Sequence, residues 1–139
     1  MGVLTDYFRA ADAAAVVRAL GEHGAFDGVE LKGIDPVVCF GQLVALVRGA
    51  RWDPGTAGSR VVWPADPSTA ESWVFELGTA ARDALAAVPD EDVPAVSVRW
   101  AATDELAGAE GLEEVVVDLV GLARRARDAG ERLYCWCTV

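Results

Sequence analysis

The pattern of apolar and polar positions is clearest in the last third of the chain, where apolar residues recur every three or four positions. This spacing predicts a helix over residues 112–129 with a single apolar face. The residues of that face are Leu112, Val115, Val116, Leu119, Leu122, Ala123 and Ala126. Glu113 and Glu114 at its start and arginines near its end suit the helix dipole. Gly130 is expected to end the helix.

Shorter helices are predicted elsewhere in the chain. The segment after Asp12 has helical spacing up to about Leu20, and the Asp12 carboxylate is expected to cap it. Its inward-facing residues are expected to be Val16, Val17 and Leu20. Residues 79–88, which precede a proline, are expected to form another short helix.

Asp35 and Pro36 form a typical helix start, because a carboxylate can accept a backbone N–H bond and proline fits the first helical position. Apolar residues at helical spacing follow, namely Val37, Phe40, Val44 and Val47. Gly49 is expected to end this helix.

Runs of β-branched and aromatic residues predict strands at residues 2–8, 60–63, 72–77, 95–100 and 133–139. The last run is apolar on both faces, so we expect it to lie in the centre of the sheet. Strands and helices are mixed along the chain and do not alternate strictly. The sequence therefore predicts one compact α+β domain over residues 1–139, with helices packed on a mixed sheet.

The charge of the chain is strongly negative, with a formal net charge of −10. Residues 1–70 carry 8 acidic and 6 basic side chains, whereas residues 71–139 carry 14 acidic and 6 basic ones. Such a surface repels phosphate backbones and anionic lipid headgroups, which argues against nucleic acid and membrane as partners. A basic protein partner fits better, although the same charge also serves solubility alone.

The three cysteines are too few, and odd in number, for a secreted disulfide framework. No apolar run approaches the roughly 20 residues that span a bilayer. The first residues lack a basic region followed by an apolar stretch, as a signal peptide would have. We therefore expect free thiols and a cytoplasmic location.

Residues with catalytic or metal-binding chemistry are sparse. His23 is the sole histidine and lies in a glycine-rich turn without an evident partner. Cys135 and Cys137 are alternate residues of a strand and should point the same way, at a spacing long for a disulfide. We expect that they bind neither metal nor each other and that at least one is buried. Cys39 lacks an obvious base, so the sequence predicts no catalytic, cofactor-binding or metal-ligating residue.

The loop between residues 48 and 60 is the strongest candidate for a contact surface. It contains three arginines, three glycines and Trp52, which we expect to be exposed, and a loop tryptophan beside arginine is typical of binding hot spots. A glycine-rich loop with arginines can also hold an anion. The candidate ligand or partner contacts are Lys32, Asp35, Arg51, Trp52 and Arg60.

Three parts of the chain resemble a known family. They are residues 1–8 (MGVLTDYF), residues 32–35 (KGID) with the apolar helix that follows, and residues 119–136 with their closing helix and strand. Together they resemble the YfbM-like family of small bacterial proteins. The resemblance implies a compact α+β fold and a bacterial, actinobacterial cytosolic protein, and it implies no particular activity.

Three functions fit these observations. The leading hypothesis is a non-catalytic binding protein with a basic protein partner, for example an immunity-type protein that neutralises a basic toxin domain. The alternative is a domain that binds a small anionic ligand between Lys32 and the arginines of the 48–60 loop. The third is an enzyme that uses Cys39 or the acidic pair Asp104 and Glu105.

Overall fold

The computed structural model describes residues 4–21 and 28–139, which form an α+β unit of five strands and five α-helices. The strands are β1 (Leu4–Ala10), β2 (Gly28–Lys32), β3 (Arg60–Trp63), β4 (Ser72–Glu76) and β5 (Arg132–Thr138). The helices are α1 (Ala13–Gly21), α2 (Cys39–Arg48), α3 (Thr79–Ala86), α4 (Val93–Ala101) and α5 (Leu112–Ala129). The α+β class predicted from the sequence is confirmed.

The strands form one sheet in the order β2-β1-β5-β4-β3, so the predicted central position of the C-terminal strand is confirmed. All pairings among the described strands are antiparallel, whereas the sequence predicted a mixed sheet. Strand β5 runs opposite to both of its neighbours, β1 and β4. Each edge strand also runs opposite to the strand beside it, so none of these pairs is parallel.

The two faces of the sheet are covered unequally. Helices α2, α3, α4 and α5 cover one face, here called the helical face, and enclose the main core with Tyr7, Leu133 and Cys135. Helix α1 packs on the other face, here called the α1 face, where Val16 contacts a smaller cluster around Phe8. Both faces of β5 are thus covered, which explains why this strand is apolar on both faces.

Asp35 was predicted to cap helix α2 by accepting a backbone N–H, and it does accept such bonds, but in the turn that leads into the helix. Its Oδ1 accepts hydrogen bonds from the backbone N–H groups of Val37 and Val38, at 2.8 and 2.6 Å. The regular helix begins only at Cys39, because residues 36–38 form a turn first. Gly49 adopts the left-handed conformation at the end of α2, with φ of 64°, which confirms the predicted stop.

The segment predicted as a strand at residues 95–100 is helical and forms most of α4. Its buried residues are Val93, Ser97 and Trp100, which are spaced four and three apart as on one side of a helix. The Ser97 hydroxyl donates to the carbonyl of Val93 at 2.7 Å. Tertiary burial of this stripe outweighs the strand preference of its valines.

The phase of α5 agrees with the prediction, since Leu119 and Leu122 are buried and Glu114, Asp118 and Arg125 are exposed. Val115, predicted to be buried, is only half-buried at the margin of the core. In α1, the prediction for Val17 was wrong, because Val17 is 44% exposed while Val16 takes the buried position. Asp12 caps that helix as predicted, with its Oδ1 accepting the N–H of Ala15 at 2.8 Å.

Candidate functional site

Two of the predicted contact residues, Lys32 and Arg60, lie on opposite edges of the sheet. Lys32 ends β2 and Arg60 begins β3, so four strand spacings, or about 19 Å, separate their strands. Arg60 also forms an ion pair with Glu76, at 3.0 Å between Nη2 and Oε1. The structure therefore does not bring these two residues together into an anion site.

Glu76 explains why Arg60 lies where it does. Its carboxylate is nearly buried and accepts hydrogen bonds from Arg60 and Arg132 on Oε1 and from the hydroxyl of Tyr134 on Oε2, at 3.0 to 3.1 Å. These donors balance the charge of a carboxylate inside the sheet. In this arrangement, Arg60 contributes to the stability of the fold by pairing with Glu76.

Trp52, predicted to be exposed, is half-buried against α2. Its indole N–H donates to the carbonyl of Val37 at 3.0 Å, and its ring packs on Gly41, where an added Cβ would come within 2.6 Å of the indole nitrogen. Because Asp35 accepts the N–H of Val37, the structure brings Asp35 and Trp52 to the same residue. Arg51 is exposed and makes no polar contact with the described part of the chain.

A surface that the sequence did not predict runs along the outer side of α5 beside β2. Two adjoining depressions of about 530 and 620 Å³ share Val117 and Asp118. Their lining residues are Gly28, Val29, Glu30, Gly111, Glu113, Glu114, Val117, Asp118, Gly121 and Arg125. We call this surface the acidic groove, because its charged residues are four carboxylates and one arginine.

The acidic groove adjoins the outer edge of β2. Among the described strands, β2 pairs with β1 alone, so the other edge of β2 has no strand beside it. Glu30 lies opposite Asp6 of β1. Burial of the Asp6 carboxyl and the charge of Glu30 together raise the pKa of Asp6. Carboxylates thus flank this edge on both faces of the sheet, with Asp118 on the helical face.

A second groove, of about 420 Å³, lies between α2, α3 and α4. Its charged residues are Arg48, Arg99 and Asp92, and apolar residues such as Val88 and Val96 also line it. Neither arginine side chain makes a hydrogen bond or ion pair with the described residues. We call it the Arg48–Arg99 groove. Arg99 was not among the predicted contact residues, because the pattern at residues 95–100 predicted a strand.

A third and smaller cavity, of about 240 Å³, opens beside the start of α2. It is lined by Thr5, Gly33, Asp35, Pro36, Trp73, Phe75 and Cys137. We call it the Asp35 pocket. Asp35 is the one predicted contact residue that lines this pocket or either of the two grooves.

The three cysteines are buried, which confirms the prediction that at least one of Cys135 and Cys137 is buried. The Sγ atoms of Cys135 and Cys137 lie 3.8 Å apart on the helical face of β5. Burial and the neighbouring Cys137 thiol raise the pKa of Cys135, and burial raises that of Cys39, so thiolates are scarce at neutral pH. His23 lies outside the described residues.

Within residues 4–21 and 28–139, no group of three or more His, Cys, Asp or Glu side chains is arranged to hold a metal ion. In that same part of the chain, no helix is both long and apolar enough to cross a membrane. Comparison with family models, curated proteins and solved structures gave no significant match. Membership of the YfbM-like family therefore stays a prediction.

Proposed function

We propose that this chain is a non-catalytic cytoplasmic protein that binds a basic segment of a protein partner along the outer edge of β2. The observation that carries the proposal is that carboxylates flank this edge on both faces of the sheet. Asp6 and Glu30 lie on strand positions of the α1 face, and Glu30 at the strand edge also lines the acidic groove. Asp118 lines that groove from α5, on the helical face.

An extended segment that pairs with β2 would gain main-chain hydrogen bonds from an edge that the described strands leave unpaired. Successive side chains of such a segment point to opposite faces of the sheet. Basic side chains on either face would therefore meet a carboxylate. On the helical face, Val117, which is 52% exposed, offers an apolar contact between the acids.

The same charges disfavour pairing of β2 with a second copy of itself, because Glu30 would be brought near an identical acid. An immunity-type protein that neutralises a basic toxin domain is one concrete version of the proposal. A toxin gene beside the gene for this chain would support that version.

Thiol chemistry and acid catalysis receive less support from the same geometry. Burial raises the pKa of Cys39, and its thiol points to the carbonyl of Gly33 at 3.8 Å. A hydrogen bond from the Gln42 amide lowers the pKa of Glu105, which keeps this carboxylate ionised at neutral pH. Neither group is poised for the proton transfers that an enzyme would need.

The test is titration of the protein with a short peptide of alternating lysine and valine, with a glutamate-valine peptide of the same length as the control. We expect the Lys-Val peptide to bind and the acidic peptide not to bind, with affinity that falls as salt rises.

The matched variants are Glu30→Gln/Asp118→Asn, which removes two carboxylates of the acidic groove, and Glu71→Gln/Glu91→Gln, which removes the same charge from exposed residues outside the groove. The first pair is expected to weaken binding by about threefold to tenfold. Equal weakening by both pairs would show that net charge alone attracts the peptide.

A second candidate function is the binding of a small anion with an apolar body in the Arg48–Arg99 groove. The observation that favours it is that two arginine side chains without polar partners among the described residues line a mostly apolar cavity of about 420 Å³. That volume falls in the range of roughly 300–1,000 Å³ common to ligand sites. This candidate retains the anion hypothesis but moves it away from Lys32 and Arg60.

A thermal-shift screen with medium-chain and aromatic carboxylates tests this candidate. Stabilisation that is lost in Arg48→Gln/Arg99→Gln and kept in Arg51→Gln is the expected result. Absence of any shift in the folded wild-type protein would refute it.

A further inference from the structure

The Asp35 pocket has walls of aromatic and thiol groups. Trp73 and Phe75 are alternate residues of β4, so both side chains lie on the helical face, where each is half-buried. Cys137 lies across from Trp73 on β5 and is buried. Two aromatic side chains are therefore available to any group that enters the pocket.

The polar side chains of the pocket, apart from the Trp73 indole, offer acceptors. The Thr5 hydroxyl already donates to the carbonyl of Leu31 at 3.2 Å, which leaves its lone pairs available. The Asp35 carboxylate accepts two backbone N–H bonds on Oδ1, and its Oδ2 bonds to none of the described residues. Among the described residues, no lysine or arginine side chain lines the pocket.

An anion is a poor occupant even though the pocket adjoins a helix start. The N–H groups of Val37 and Val38, which would attract it, already bond to Asp35. A second negative charge beside that carboxylate would be repelled.

We propose that the Asp35 pocket binds an ammonium group carried on a small apolar body. Aromatic faces attract a cation through the ring quadrupole, and the Asp35 carboxylate supplies the opposite charge. The volume of about 240 Å³ is below the range of roughly 300–1,000 Å³ for drug-sized ligands. The occupant is therefore a small organic amine or a single lysine side chain of another protein. The site is independent of the acidic groove, because it shares no residue with it.

The experiment titrates the protein with n-butylammonium, tetramethylammonium and Nα-acetyl-lysine methylamide, and with butyrate and butanol as the anionic and neutral controls. Binding is followed by NMR chemical shifts of the Gly33 and Asp35 amides. We expect shifts with the cations and none with butyrate or butanol. Tighter binding of the lysine derivative would indicate a protein side chain as the source, and tighter binding of the simple amines a free metabolite.

Asp35→Asn is the decisive variant, because an amide oxygen can still accept the capping N–H bonds while the charge is removed. It is expected to weaken cation binding about tenfold. The matched control is Asp53→Asn, since Asp53 also accepts a backbone N–H, that of Gly55, and lies outside the pocket. Trp73→Leu should weaken binding as well and keeps the charge.

Absence of cation binding to the folded wild-type protein would overturn the proposal. So would equal binding of butanol and butylammonium, or unchanged binding in both Asp35→Asn and Trp73→Leu. None of these outcomes would affect the proposed function, because the Lys-Val peptide is tested with variants of Glu30 and Asp118.

Discussion

Asp6 and Glu30 lie opposite each other on β1 and β2, so two carboxylates meet beside the outer edge of the sheet. Burial of Asp6, followed by the charge of Glu30, raises the pKa of Asp6. Like charges directly opposite each other in a sheet destabilise it. A cationic side chain from a partner would relieve this repulsion, which links the edge charges to the proposed binding.

Asp6→Asn is therefore expected to stabilise the free protein by about 0.5 kcal/mol at neutral pH. The pKa of Asp6 is higher in the folded protein than its ordinary value of 3.8. The ionisation of Asp6 therefore lowers the stability of the wild type as the pH rises from 3.8 through the folded pKa. The gain should thus be present at neutral pH and disappear below pH 3.8. Urea denaturation at both pH values checks this, and an equal gain at both would contradict it.

Asp35→Ala should lower the free energy of unfolding by about 1 kcal/mol, because the N–H groups of Val37 and Val38 lose their acceptor. Asp35→Asn should cost much less, since its amide oxygen can take the same bonds. Chemical denaturation of the two variants measures the difference. If Asp35→Ala is as stable as the wild type, the cap does not contribute to stability.

Glu76→Ala should lower the free energy of unfolding by about 2 kcal/mol, which is more than Asp35→Ala. The reason is that it leaves the buried hydroxyl of Tyr134 without its acceptor. Arg60→Gln removes only an exposed arginine of the same network and should cost about 0.5 kcal/mol. Thermal or urea unfolding compares the two variants. A larger loss for Arg60→Gln than for Glu76→Ala would show that the network is assigned wrongly.

The thiols of Cys39, Cys135 and Cys137 should react far more slowly with a disulfide reagent in the native protein than in urea. All three are buried, and burial raises the pKa of Cys39 and Cys135. The measurement counts the thiols modified over time under both conditions. A thiol that reacts in the native protein as fast as free cysteine would contradict its burial.

The sequence predicted the elements whose pattern is local. The spacing of Leu119 and Leu122 indicated the buried face of α5, and Gly49 indicated the end of α2. Asp35 indicated a capped start, which the structure places in the turn before α2. Residues 95–100 were misassigned because their valines favour strands, while the helix depends on burial of Trp100 by distant parts of the chain.

The candidate site was harder to predict, because it depends on which strands become edges. Lys32 and Arg60 were grouped by charge, but the strand order places them on opposite edges. Glu30 and Asp118 are far apart in sequence and meet only because α5 packs beside β2. Trp52 was expected to be exposed because it lies in a loop. Its burial depends on packing against Gly41 of α2 and on a hydrogen bond to Val37, which the local sequence does not indicate.

The central claim is that a basic segment pairs with the outer edge of β2, and amide hydrogen exchange tests it most directly. With saturating Lys-Val peptide, exchange should slow at those amides of Gly28–Lys32 that do not bond to β1, because they acquire a partner. Strand β3, Arg60–Trp63, is the opposite edge and serves as the internal control, where exchange should not change. Peptide binding without slower exchange in β2, or with equal slowing in β3, would contradict the account.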